Sequence, residues 1–89
     1  MKLQWEQHRA GHAASARTPF VKMHARQSYH ASTPKHIVYE AAIATLNLDA
    51  LREAPDTFPT LEAAQAWCED AYADLLRAEL ARLAPAVLS

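Results

Sequence analysis

Residues 57–83, TFPTLEAAQAWCEDAYADLLRAELARL, constrain this chain more than any other stretch. On a 3.6-residue wheel Leu61, Ala64, Cys68, Ala71, Tyr72 and Leu75 fall on one apolar stripe, with Trp67 and Ala78 on its flank. Glu69, Asp70, Asp74 and Arg77 fall on the opposite side, which reads as a solvated acidic face. Thr60 follows Pro59 and can cap the first turn, and Glu62 places a negative charge where the free amides favour it. Neither glycine nor proline interrupts the pattern before Pro85, so the spacing predicts one helix over 60–83.

That helix is too long for a small sheet. At about 1.5 Å per residue it measures roughly 36 Å, against about 20 Å for an ordinary strand. Beyond Leu75 the apolar stripe meets Glu79 and Arg82, and a second row begins a quarter turn away with Leu76, Leu80 and Leu83, then Val87. The overhanging leucines need a cover: the N-terminal segment, a second copy, or another protein.

The 89 residues make one domain. Its hydrophobic fraction of 51% is inflated by 20 alanines, and Leu, Ile, Val and Phe together number only 17. A core that thin often gains stability by association. The single Cys68 excludes an internal disulfide framework and lies on the apolar stripe, as a buried thiol does. No stretch reaches the roughly 20 apolar residues of a membrane span. MKLQWEQHR lacks the apolar core of a signal peptide, so a cytoplasmic location is expected.

Charge is segregated along the chain. Residues 1–36 hold Lys2, Arg9, Arg17, Lys22, Arg26 and Lys35 against Glu6 alone, a net of +5, together with all five histidines. Residues 37–89 hold three arginines against nine carboxylates, a net of −6. The first reading is self-complementary, an acidic helix attracting a basic sheet within one molecule or head to tail between two.

The first half reads as strands. Leu3 and Trp5 alternate with polar neighbours over 2–8, and the only glycine, Gly11, marks a turn. HAASAR, 12–17, is a return strand or a loop. Phe20, Val21 and Met23 place a strand over 19–25, and 26–34 is a loop or hairpin tip. Residues 36–54 are ambiguous. Ile37, Tyr39, Ala41 and Ile43 alternate like a strand, while Ile43, Leu46 and Ala50 fit a helix face. The β-branched and aromatic residues at 37–43 favour a strand over 36–46, with a short helical turn in LNLDALREA and a connection over 47–59. The expected fold is α+β: a three- or four-stranded antiparallel sheet packed by one long C-terminal helix.

The run FPTLEAAQAWCEDAYADLL resembles the C-terminal helix of small accessory proteins of temperate phages and prophages, through Thr60, Leu61, Glu62, Ala63, Ala64, Gln65, Ala66 and Tyr72. The likeness covers residues 57–76. In those proteins a three- or four-stranded meander with glycine at its hairpin turns precedes the helix. This chain, with one glycine, departs from that pattern. Those of known role include anti-CRISPR and other anti-defence inhibitors that occupy a surface of a host protein. The resemblance implies such a binding role and carries over no catalytic residues.

Other chemistries find less support. His8 and His12 are four apart, but Arg9 and Gly11 disfavour a helix there and no acid or thiol completes a metal set, so solvent-exposed histidines gaining charge below about pH 6.5 are expected. No nucleophile–base pair or phosphate loop is visible, so neither an enzyme nor a cofactor is expected. Lys22, Arg26, Tyr29 and Lys35 could place cations among aromatics on a sheet and bind nucleic acid, the alternative function. The favoured function is inhibition of a host protein, a CRISPR–Cas component or other defence factor, through Glu69, Asp70, Asp74, Arg77, Leu76, Leu80 and Leu83. A homodimer through the same helix is a further expected contact.

Overall fold

A computed structural model describes residues 3–8, 11–47 and 49–88, with side chains through Arg82. The side chains of Leu83 and Val87 therefore lie outside the described residues, as do Lys2 and Arg9. Five strands, β1 (Glu6–His8), β2 (Ala13–Arg17), β3 (Val21–Gln27), β4 (Tyr39–Thr45) and β5 (Ala50–Glu53), precede one helix, α1 (Leu61–Leu88). The strands form a single antiparallel meander in chain order. The α+β class is as expected, but the sheet has five strands rather than three or four.

The extra strand is β5, where the sequence favoured a helical turn within a connection. Ala42 pairs with Glu53 and Ile43 with Arg52, and the register slips between Ile43 and Ala44 so that Ala44 meets Ala50. The slip leaves Leu51 without a β4 partner, which hides the period-2 signal of this short edge. Beyond β5, Phe58 exchanges two backbone bonds of 2.8 Å with Tyr39, so pairing with β4 resumes before the helix.

Hydroxyl side chains shape the turns where glycine was expected. Thr18 Oγ1 accepts from the amides of Phe20 and Val21 across the Pro19-Phe20 loop. Ser28, Thr33 and Thr45 do the same in the next two connections, toward Ala31, His36 and Asp49. A serine or threonine hydroxyl can stand in for a backbone turn bond, so a meander needs little glycine. Gly11, just before β2, is the exception, with φ at +88°.

Alternation then sorts the strands into two faces. Ala14, Ala16, Val21, Met23, Ala25, Ala41 and Ile43 are buried beneath α1, against Leu61, Ala64, Cys68, Ala71 and Tyr72. Met23, Ile43 and Cys68 are the largest fully buried side chains. The many alanines let helix and sheet approach closely, but they bury little area each.

Thr60 caps α1, its Oγ1 accepting from the Ala63 amide at 3.1 Å. The 28-residue helix runs past the expected end at 83 and through Pro85. Its length of about 42 Å exceeds the roughly 23 Å of a seven-residue strand. The molecule measures 57 Å along its longest axis. Glu79 and Arg82, on the inward side of the wheel, are exposed and ion-paired to each other, so from Arg77 through Arg82 the helix stands clear of its sheet.

Candidate interaction surfaces

Two surfaces remain uncovered, and each gathers a different set of the predicted residues. On α1, Asp70, Asp74 and Arg77 face solvent, and Arg77 donates to Asp74 at 2.6 Å. Leu80 is 68% exposed on the same outward side. Leu76 behaves differently: it is half-buried against the protein's own core, so it belongs to the anchored part of the helix. Leu83 lies outside the described side chains.

Glu69 departs from the solvated acidic face. Its Oε2 accepts from the Leu3 amide at 2.8 Å and from the Trp5 indole N–H at 3.2 Å. It anchors the N-terminal segment across the helix, and Leu3 and Trp5 pack against the core beside it. A carboxylate engaged by two donors is less available to a partner.

The second surface is the face of the sheet turned away from α1. Three rows cross it. Arg17 stands opposite Lys22, and Lys22 opposite Ala44; Ser15 stands opposite His24, and His24 opposite Ala42; Ala13 stands opposite Arg26, and Arg26 opposite Glu40. His8, Ser15, Lys22, His24, Arg26 and Ala44 line a shallow depression there, with alanine as much of its floor. Glu6 and Glu53 flank it on the two edge strands. Like charges directly across a sheet repel. Among the described residues neither Arg17 nor Lys22 forms an ion pair, while Arg26 gives its Nε–H to Glu40 at 2.7 Å.

Burial, with the cations Arg26 and Lys22 alongside, pushes the His24 pKa below its usual 6.5, partly offset by Glu40 and Glu53. The expectation of solvent-exposed histidines thus fails for His24, which is half-buried, while His8, His12, His30 and His36 are exposed. His8 and Ser15 share a 2.9 Å hydrogen bond. Among the described residues no further side chain bonds His8, so none of them supplies the third, orienting group of a nucleophile–base arrangement.

Among the described residues the sheet does not interleave cations with aromatics. Tyr39 and Trp5 pack on the helix side, and Phe20 is exposed in the β2–β3 turn. Tyr29, 68% exposed, and Lys35 lie in the β3–β4 connection, outside the strand that carries Lys22 and Arg26. The alternative nucleic-acid set is thus split between a strand face and a loop. The basic row was legible in the alternation of Lys22, His24 and Arg26 with Val21, Met23 and Ala25; the place of Arg17 opposite Lys22 depends on a register that no local pattern states.

Cys68 sits at the centre of the helix–sheet contact. Its thiol is directed at the His24 carbonyl of β3 at 3.5 Å and the Ala42 carbonyl of β4 at 3.8 Å. Burial pushes its pKa up to about 12, which makes it structural rather than nucleophilic. No three of His, Cys, Asp and Glu converge among the described residues. No helix of the described residues is long and apolar enough to cross a membrane. No family model matches the chain, and no characterised protein or solved structure is significantly similar to it.

Proposed function

We propose that this chain is a non-catalytic accessory protein that binds and inhibits a host protein, with the outward side and free end of α1 as its contact surface. The carrying observation is the exposed Leu80 beyond the sheet, on the same side of the helix as Asp70 and the Asp74–Arg77 pair. An exposed apolar side chain with charged residues along the same side of the helix suits a small interface. The partner must offer an apolar spot within a basic surface. The phage or prophage setting and a CRISPR–Cas target rest on the resemblance of residues 57–76 alone. The test is phage plaquing on a host with active CRISPR immunity. Expression of the protein should restore plaques, and Leu80→Glu should lose the effect. A protein that restores none, in hosts carrying different CRISPR types, fails this reading of the target.

Nucleic-acid binding is the second reading, favoured by Arg17 and Lys22 on one open face, neither ion-paired among the described residues. That face lacks the stacking platform that single strands use. Strong, salt-sensitive binding to a generic oligonucleotide would favour it.

A further inference from the structure

We propose that the uncovered sheet face receives the outward stripe of α1 from a second copy, so that chains associate head to tail. The reason lies in where the opposite charges sit. None of the ion pairs among the described residues joins α1 to the sheet: Arg26–Glu40 links β3 to β4, and Asp74–Arg77 and Glu79–Arg82 lie within the helix. The helix meets its own sheet through alanine, methionine, isoleucine and thiol. Glu62, Asp70 and Asp74 of the helix are exposed on the side away from the sheet, and Arg17, Lys22 and Arg26 lie on the sheet face away from the helix, so within one molecule these charges cannot satisfy one another. Between two copies they can.

The two surfaces also match in spacing and relief. Glu62 and Asp70, both exposed, are about 12 Å apart along the helix, with Ala66 between them. Lys22 and Arg26 are about 13 Å apart along β3, with His24 between them and Ala42 and Ala44 beside. A helix laid along β3 with Glu62 near one cation and Asp70 near the other seats its small residue over the alanine floor. Arg26 spends only its Nε–H on Glu40, which leaves its terminal amino groups for an incoming carboxylate. Glu6 and Glu53 bound the cationic strip on both sides and repel an acidic helix that strays from it. Because the contact joins unlike faces, any assembly of copies retains one free helix face at one end and one free sheet face at the other, and the association is open-ended rather than a closed pair. It shares Asp70 with the surface proposed for a host partner, so the two contacts exclude each other.

Sedimentation velocity at low ionic strength tests this. The wild-type mass should rise with concentration and fall back to one chain in high salt, since the contact is electrostatic and exposed. Lys22→Glu and Asp70→Lys should each stay at the mass of one chain. Mixing the two variants should restore association, because each sheet then finds a helix of opposite sign. Arg17→Glu, on an exposed position, repeats the sheet-side result if Lys22→Glu perturbs the fold. A wild-type mass independent of concentration overturns the proposal. So does a mixture that remains at one chain, or growth that both variants retain. Oligonucleotide binding that Lys22→Glu abolishes, in a protein that never self-associates, gives the strip to phosphate and also overturns it. None of these outcomes depends on plaquing, so the host-inhibitor reading stands or falls separately.

Discussion

Trp5 and Glu69 are 64 positions apart, and the indole N–H of one donates to the carboxylate of the other at 3.2 Å. The same oxygen takes the Leu3 amide, so a segment ahead of β1 is tied to the helix by one side chain. Glu69→Ala leaves both donors without an acceptor in a half-buried place and should cost about 1 to 2 kcal/mol in chemical unfolding. Glu69→Gln keeps an amide oxygen and should lose less. Equal losses in the two variants would mean that the hydrogen bonds contribute little there.

Cys68 makes stability depend on alkaline pH. Its folded pKa of about 12 stands above the ordinary value of 9.0, so between the two the folded chain holds a proton that the unfolded chain releases. Stability is therefore fully present below pH 9 and declines as pH rises toward 12, by up to about 1.4 kcal/mol per unit. Cys68→Ala should be less stable at neutral pH and lose that part of the decline. The pH dependence of unfolding in the two proteins provides the check, with an identical alkaline slope counting against a buried thiol.

His24 acts in the opposite direction. Its folded pKa lies below 6.5, so protonation favours the unfolded chain, and stability is lost as pH falls from 6.5 through the folded value. His24→Gln should flatten that acid-side loss. In an NMR titration the His24 ring should have a midpoint below 6.5; a midpoint at or above 6.5 would contradict its burial beside Arg26 and Lys22.

Gly11 is held at a positive φ that other residues adopt at a cost, although a Cβ there would meet only Gln7 Oε1 at 3.8 Å. Gly11→Ala should destabilise by about 1 kcal/mol through the backbone alone. Gly11→Asn, which tolerates this region better, should recover part of it. Equal stability of all three would show that the turn relaxes to a negative φ.

Much of this was written locally in the sequence. The α1 stripe, the Thr60 cap and the alternation of β3 each depend on neighbours within a few residues, and each appears where expected. Pro85 did not end the helix, because a proline removes one backbone bond without forbidding the turns on either side. β5 was obscured by the slip at Ile43/Ala44, which disrupts its period, and by LNLDALREA fitting a helix equally well. The strand count was obscured by turns built on Thr18, Ser28, Thr33 and Thr45 instead of glycine. At the surfaces, Asp70, Asp74, Arg77 and Leu80 followed from the helix wheel. The engagement of Glu69 by Trp5, and the meeting of Arg17 with Lys22, are long-range facts of docking and register that no short window contains.

The proposed contact with a host protein requires Leu80 to stand free of its own subunit. The most direct measurement is the unfolding free energy of Leu80→Glu in dilute solution. An exposed Leu80 predicts a change within about 0.5 kcal/mol of the wild type, as for ordinary surface substitutions. A loss of about 2 kcal/mol or more, the scale of a buried leucine, would contradict it by placing Leu80 in the protein's own core.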